Sequence, residues 1–146
     1  MMHEFTYGMS VDPKDNEIGR FWQQPGASIV QNCLQDLPVP EEEWTVERRV
    51  YEPNLQGEGK RKGKGECWME GRTTLKGLMN LMRSWSSFHG WQEENPGVKS
   101  KSEGGDGDCV DALFAEIASV EGDAWKDENM EVDVESATGL ILARKK

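Results

Sequence analysis

The chain has little of what most active centres are built from. Its 146 residues include two histidines, three cysteines and two tyrosines. Cys33, Cys67 and Cys109 are odd in number and widely separated. No C-x-x-C or C-x-x-H spacing occurs, so neither a disulfide framework nor a zinc site is expected, and the thiols read as reduced and independent. His3 and His89 are the only imidazoles, which leaves His89 as the most economical general acid or base near neutral pH. There is no G-K-[ST] phosphate loop, no G-x-S-x-G nucleophile elbow and no H-E-x-x-H pair. The glycine pairs Gly57/Gly59, Gly63/Gly65 and Gly105/Gly107 do not follow an apolar strand and open a helix, as a pyrophosphate-binding turn requires. The acidic trio Glu41-Glu42-Glu43 and the group Glu103, Asp106, Asp108 lack the ligand order of a calcium loop, so no metal is expected.

Positive charge and long apolar runs are also scarce. Against 27 acidic residues stand 17 basic ones, a net charge of -10 that repels phosphate backbones and anionic lipid. No nucleic-acid partner is expected. The one basic knot, Lys60, Arg61, Lys62 and Lys64, is interleaved with glycine and reads as a solvated loop. No stretch approaches the ~18 to 20 apolar residues of a membrane span, and MMHEFTYGMS has no charged leader before an apolar run. The expectation is a soluble cytoplasmic protein with no membrane role.

What the chain does have is tryptophan, six in all, and enough length for one domain able to bury ~70% of its unfolded surface. A mean hydropathy of -0.75 sends much of the remainder to solvent. Residues 1–9 carry Met2, Phe5 and Met9 at the spacing of a short amphipathic helix. After a polar connection, Pro25 suits the first turn of a second helix, with the apolar face Ile29, Val30, Cys33, Leu34 and Leu37 and a stop at Pro38 and Pro40. Trp44 to Tyr51 alternates with period two and predicts a half-buried strand, although Arg48 sits on its apolar side. A glycine- and lysine-rich mobile loop is expected over about 54–71, and another over about 96–107.

The segment Leu75 to Trp91 predicts one helix capped by Thr73 or Thr74. Leu75, Leu78, Met79, Met82, Trp85, Ser86 and His89 follow i, i+3, i+4 spacing, so polar groups continue the face that apolar groups begin. That face suits either core packing or one wall of a pocket. Asp108 is the expected cap of a helix through Val120, with the face Val110, Leu113, Phe114 and Ile117 and with Gly122 past its end. Met130 to Arg144 reads as a strand, apolar on both faces in its second half, which is how a central strand flanked on both sides reads. Only one other convincing strand is present, so a neighbour is missing or another chain supplies it.

Four blocks carry a resemblance. They are FWQQPGASIVQNCLQDL, WTVERRVYEP, TTLKGLMNLMRSWSSFHGWQEENP and VDVESATGLILARK, and the most specific piece is LMNLMRSWSSFH, similar to an L-x-x-Y-L-R-T-W-S-A type segment at Leu78, Met82, Arg83, Trp85 and Ser86. Together they resemble the C-terminal part of class I S-adenosylmethionine-dependent methyltransferases similar to trans-aconitate methyltransferase, especially the fungal members.

The resemblance implies an incomplete Rossmann-like α/β fold in which 44–51 and 130–144 are antiparallel neighbours, joined by three to four helices that cap an acceptor site. It implies a small-molecule acceptor, with Arg83 holding an anionic group and Trp22, Trp85, Ser86 and His89 shaping the pocket. S-adenosylmethionine is implied as cofactor, yet the glycine-rich loop and the acidic ribose-binding residue have no counterpart, so no cofactor-binding residue is assigned. The function implied is the substrate-recognition portion of a truncated methyltransferase, inactive alone. A non-catalytic partner that presents its strand edge to a related methyltransferase is the alternative. An unrelated acidic binding module would instead cover 130–144 on both sides.

Overall fold

A computed structural model describes Thr6, residues 18–53 and residues 63–146. The helix expected over residues 1–9 lies outside the described residues except for Thr6, as do most of the basic knot and the first part of the 54–71 connection. The described residues form a mixed α/β structure with four helices and two small antiparallel sheets. They divide into two compact units, each made of two stretches of chain: Met1–Gln23 with Thr73–Val132, and Gln24–Arg72 with Asp133–Lys146. We call them the helical unit and the ribbon unit.

In the ribbon unit, α1 (Gly26–Gln31) stops well before Leu37, the expected end. The reason lies in the next turn, where Cys33 and Leu34 take left-handed backbone angles. Arg48 donates to the carbonyl oxygens of Leu34 at 2.9 Å and Leu37 at 2.7 Å, replacing the bonds a longer helix would have made. The charge that looked misplaced on the apolar side of strand β1 (Trp44–Tyr51) therefore holds the turn packed on that side. Pro25 stands just before α1 rather than in its first turn.

Strand β1 pairs antiparallel with β4 (Thr138–Lys145) in the register Trp44↔Lys145 to Tyr51↔Thr138. Gly139 makes the fit possible: a Cβ there would lie 2.0 Å from the Cys33 carbonyl oxygen. The single strand expected over 130–144 is in fact two, because the chain leaves extended pairing at Ser136 and Ala137. Its first part is β3 (Glu131–Glu135), which pairs with β2 (Glu70–Thr74) instead of β1. Both β2 and β3 run across the sequence boundary between the units. Strand β2 has almost no apolar residue, so nothing in EGRTT marked it as a strand, and the expected 54–71 loop ran into it.

In the helical unit, α2 (Leu75–Arg83) starts where Thr74 Oγ1 accepts the Gly77 N–H at 3.1 Å. It buries Leu75, Met79 and Met82, one face at helical spacing. The helix expected to continue to Trp91 breaks instead. Ser84 turns its hydroxyl back onto the Leu81 carbonyl at 2.7 Å, and Trp85 swings to an extended backbone as the N-cap of α3 (Ser86–Glu94). The break resets the helical phase: Ser86 and His89 face solvent, while Ser87, Phe88 and Trp91 turn inward.

Helix α4 (Cys109–Glu121) completes this core with Val110, Leu113, Phe114 and Ile117. Asp108 is its cap, in a reciprocal box with Asp111, and Gly122 ends it at a positive φ of 107°. The stretch expected as a loop over 96–107 contains a 3-10 turn, Lys101–Glu103, tied down by bonds from Gly105 N–H to the Ser100 carbonyl and from Gly107 N–H to the Lys99 carbonyl.

Candidate functional site

Trp22 and Trp85, two of the residues expected to shape a pocket, meet in the helical unit. Their ring centroids are 6.0 Å apart with planes tilted by 45°, and both rings are half-buried. Two local features bring them together. The extended backbone at Trp85, just before α3, projects that indole off the end of α2. A 3-10 turn at Gly19–Phe21 delivers Trp22, whose indole N–H donates to the Thr6 carbonyl oxygen at 2.7 Å. Gly90 on α3 lets this turn approach, since a Cβ there would sit 3.0 to 3.3 Å from the Phe21 side chain. Arg20 closes the edge with an exposed 3.0 Å ion pair to Glu94.

Ser86 and His89 lie on the solvent side of α3, the helix that starts at the tryptophan pair. His89 Nδ1 is 3.3 Å from Gln92 Oε1, and the ring stands edge-on to Phe88. No side chain caps α3 among the described residues. The neighbouring Ser87 is fully buried, and its hydroxyl has no partner among the described residues.

Arg83 takes a different place. Its Nε donates to Asp108 at 2.6 Å, and a terminal nitrogen reaches Asp108 at 2.9 Å and Asp111 at 3.0 Å. With side-chain exposures of 16%, 3% and 8%, these three groups form an ion cluster largely shielded from water. Burial alone would lower the Arg83 pKa, but the two carboxylates outweigh it and hold the guanidinium charged. Burial likewise opposes the Asp111 carboxylate, yet the N–H groups of Lys101 and Asp108, together with Arg83, hold its pKa below the ordinary aspartate value. This guanidinium clamps the C-terminus of α2 to the N-terminus of α4. Its charge is compensated by the two carboxylates.

Sequence reasoning passed over a second polar cluster, in the ribbon unit. Buried Tyr51 donates its hydroxyl proton to Glu135 at 2.6 Å and accepts the Gly63 N–H at 3.0 Å. The bond to Glu135, helped by burial and the nearby Cys67, pushes the phenol up to about 12. Tyr51 is therefore a neutral donor at any physiological pH. Position 63 is closed to larger residues, because a Cβ would lie 2.1 Å from the Glu52 carbonyl oxygen. Tyr51 fell on the outward parity of β1, which is why no buried role was legible in the sequence.

The chemistry open to the tryptophan pair is recognition rather than bond-making. Indole faces offer stacking and apolar contact, and Ser86 and His89 offer hydrogen bonds at the rim. Cys109 is buried, and desolvation pushes its thiol to about 12, so it is no nucleophile. Among the described residues, no three His, Cys, Asp or Glu side chains are grouped to hold a metal ion, and no helix is long and apolar enough to cross a membrane. No family model matches the chain, and no curated protein is significantly similar to it.

Proposed function

We propose that this chain is the acceptor-recognition portion of a small-molecule S-adenosylmethionine-dependent methyltransferase, working in the cytoplasm and inactive without a separate cofactor-binding half. The observation that carries the reading is the meeting of Trp22 and Trp85, 63 positions apart in sequence, at the uncapped start of α3. In this reading the two indoles are the wall against which a small acceptor lies, and Ser86 and His89 hydrogen-bond its polar edge. Positioning against a rigid wall is what methyl transfer asks of an acceptor site, because the in-line displacement depends on geometry more than on acid or base groups. Arg83 stays with its two aspartates and ties the end of α2, just before Trp85, to the start of α4. The antiparallel pairing of β1 with β4 also agrees with the arrangement implied for the last two strands of an incomplete Rossmann-like sheet.

The test is an NMR titration of the whole chain, following the indole N–H resonances, with a panel of small carboxylic and hydroxylated acceptors and separately with S-adenosylmethionine. Acceptors should shift Trp22 and Trp85 and lose that effect in Trp85→Ala, and the cofactor should not bind stoichiometrically. Tight cofactor binding, or indoles indifferent to the whole panel, overturns the proposal. A second reading, a non-catalytic partner of a related methyltransferase, is favoured by the single-neighbour pairing of β4 among the described residues.

A further inference from the structure

The tryptophan pair is suited to one charge class of ligand. Trp22 commits its indole N–H to the Thr6 carbonyl oxygen, so that ring meets a ligand through its π face rather than through a donor. Both indoles are half-buried, and their planes are tilted rather than stacked, so neither covers the whole face of the other. With the centroids 6.0 Å apart, a single group resting against the pair can lie within ~6 Å of both, the reach of a cation–π contact. An indole face carries the negative lobe of the ring quadrupole, and tryptophan is the strongest of the aromatic side chains in this role. The turn that delivers Trp22 already uses an aromatic face in this way: the Arg20 guanidinium lies 4.5 Å from the Phe21 ring centroid.

The surrounding charge has the matching sign. The described part of the helical unit carries 12 acidic and 6 basic residues, a net charge of -6. Four of those basic side chains, Arg20, Lys76, Arg83 and Lys126, are ion-paired to carboxylates. Two residues before Trp85, the Arg83 cluster sets one guanidinium against two carboxylates. That excess of one negative charge is largely shielded from water and so weakly screened by salt. The start of α3 opposes it with about half a positive charge, which fades within the first turn. The balance favours a cation and disfavours an anion.

We propose that the Trp22–Trp85 pair binds an alkylammonium cation, held by its charge against the two π faces, so that the acceptor selected by this wall is one that bears such a group. The inference deepens the acceptor reading and rests on it for the purpose of the ligand. The cation is a handle and undergoes no reaction. A quaternary ammonium fits best, because its methyl groups pack against the indoles and it brings no N–H that would be left without an acceptor.

Ligands of nearly one shape and different charge test it on the whole chain: choline, its uncharged isostere 3,3-dimethylbutan-1-ol, and 3,3-dimethylbutanoate, each followed by the Trp22 and Trp85 indole resonances. Choline should bind at least about tenfold more tightly than the alcohol, and the carboxylate should bind most weakly. Added salt should weaken choline and leave the alcohol unchanged. Intermolecular NOEs from the choline methyl protons to both indole rings of the unmodified chain locate the cation without a mutation. Trp22→Leu, outside the helical core, should bring choline within about threefold of the alcohol. Equal binding of choline and the alcohol, tighter binding of the carboxylate, or choline contacts away from the two rings overturns the proposal. Indoles that respond to uncharged or carboxylic acceptors but not to choline remove the cation and keep the acceptor wall, whereas indoles indifferent to every ligand overturn both.

Discussion

The helical unit and the ribbon unit are built from the same chain by different means. The first packs Leu75, Met79, Met82, Phe88, Trp91, Val110, Leu113, Phe114 and Ile117 into a core and locks two helix ends with the Arg83–Asp108–Asp111 cluster. The second holds its shape with backbone pairing, the Arg48 bonds to the Leu34 and Leu37 carbonyls, and one buried tyrosine. Apolar burial contributes about 25 cal/mol per Å², whereas a hydrogen bond nets roughly 1 kcal/mol after its exchange with water. The comparison teaches that stability should reside in the helical unit rather than in the ribbon unit.

The largest expected effects therefore fall in the helical unit. Met82 is completely buried, and Met82→Ala should cost about 2–5 kcal/mol in a denaturant titration. Arg83→Ala should cost about 3–5 kcal/mol, because it strands two buried carboxylates. If Val46→Ala in β1 destabilises as much as Met82→Ala, the contrast between the units fails.

In the ribbon unit, Gly139→Ala drives a Cβ into the Cys33 carbonyl. A loss of about 1–3 kcal/mol is expected, seen as faster amide exchange in β1 and β4 while α2 and α4 keep their protection.

A smaller effect appears with acid. Asp111 has a folded-state pKa held below its ordinary value of about 3.9, so its contribution is fully present above about pH 5 and fades as pH falls through the depressed value. Thermal melts between neutrality and strong acid should show this loss, and Asp111→Asn should flatten it. A chain that gained stability on acidification through that range would contradict the assignment.

Local features were legible in the sequence. The bounds of β1, the Asp108 cap, a threonine cap at 73 or 74 and the buried faces of α2 and α4 follow from alternation, helical spacing and side-chain oxygens able to accept unpaired N–H groups. Long-range partnerships were not. The face Met82, Trp85, Ser86, His89 looks continuous on paper, but a serine back-bond and one extended residue shift the phase, and spacing alone carries no trace of that shift.

Strand β2 is held by backbone pairing and by an exposed ion pair of Arg72 with Asp133, so its side chains spell nothing strand-like. The candidate site divides in the same way. Trp22 and Trp85 come together, which their residue types invited, and Arg83 is taken by aspartates 25 and 28 positions away, which only the fold reveals.

The contrast between the units is tested most directly by native-state hydrogen exchange at low protein concentration. The account predicts that amides of α2 and α4 exchange only through global unfolding, and that amides joining β1 to β4 exchange through a cheaper, local opening. Equal or greater protection in the β1–β4 ribbon would contradict it.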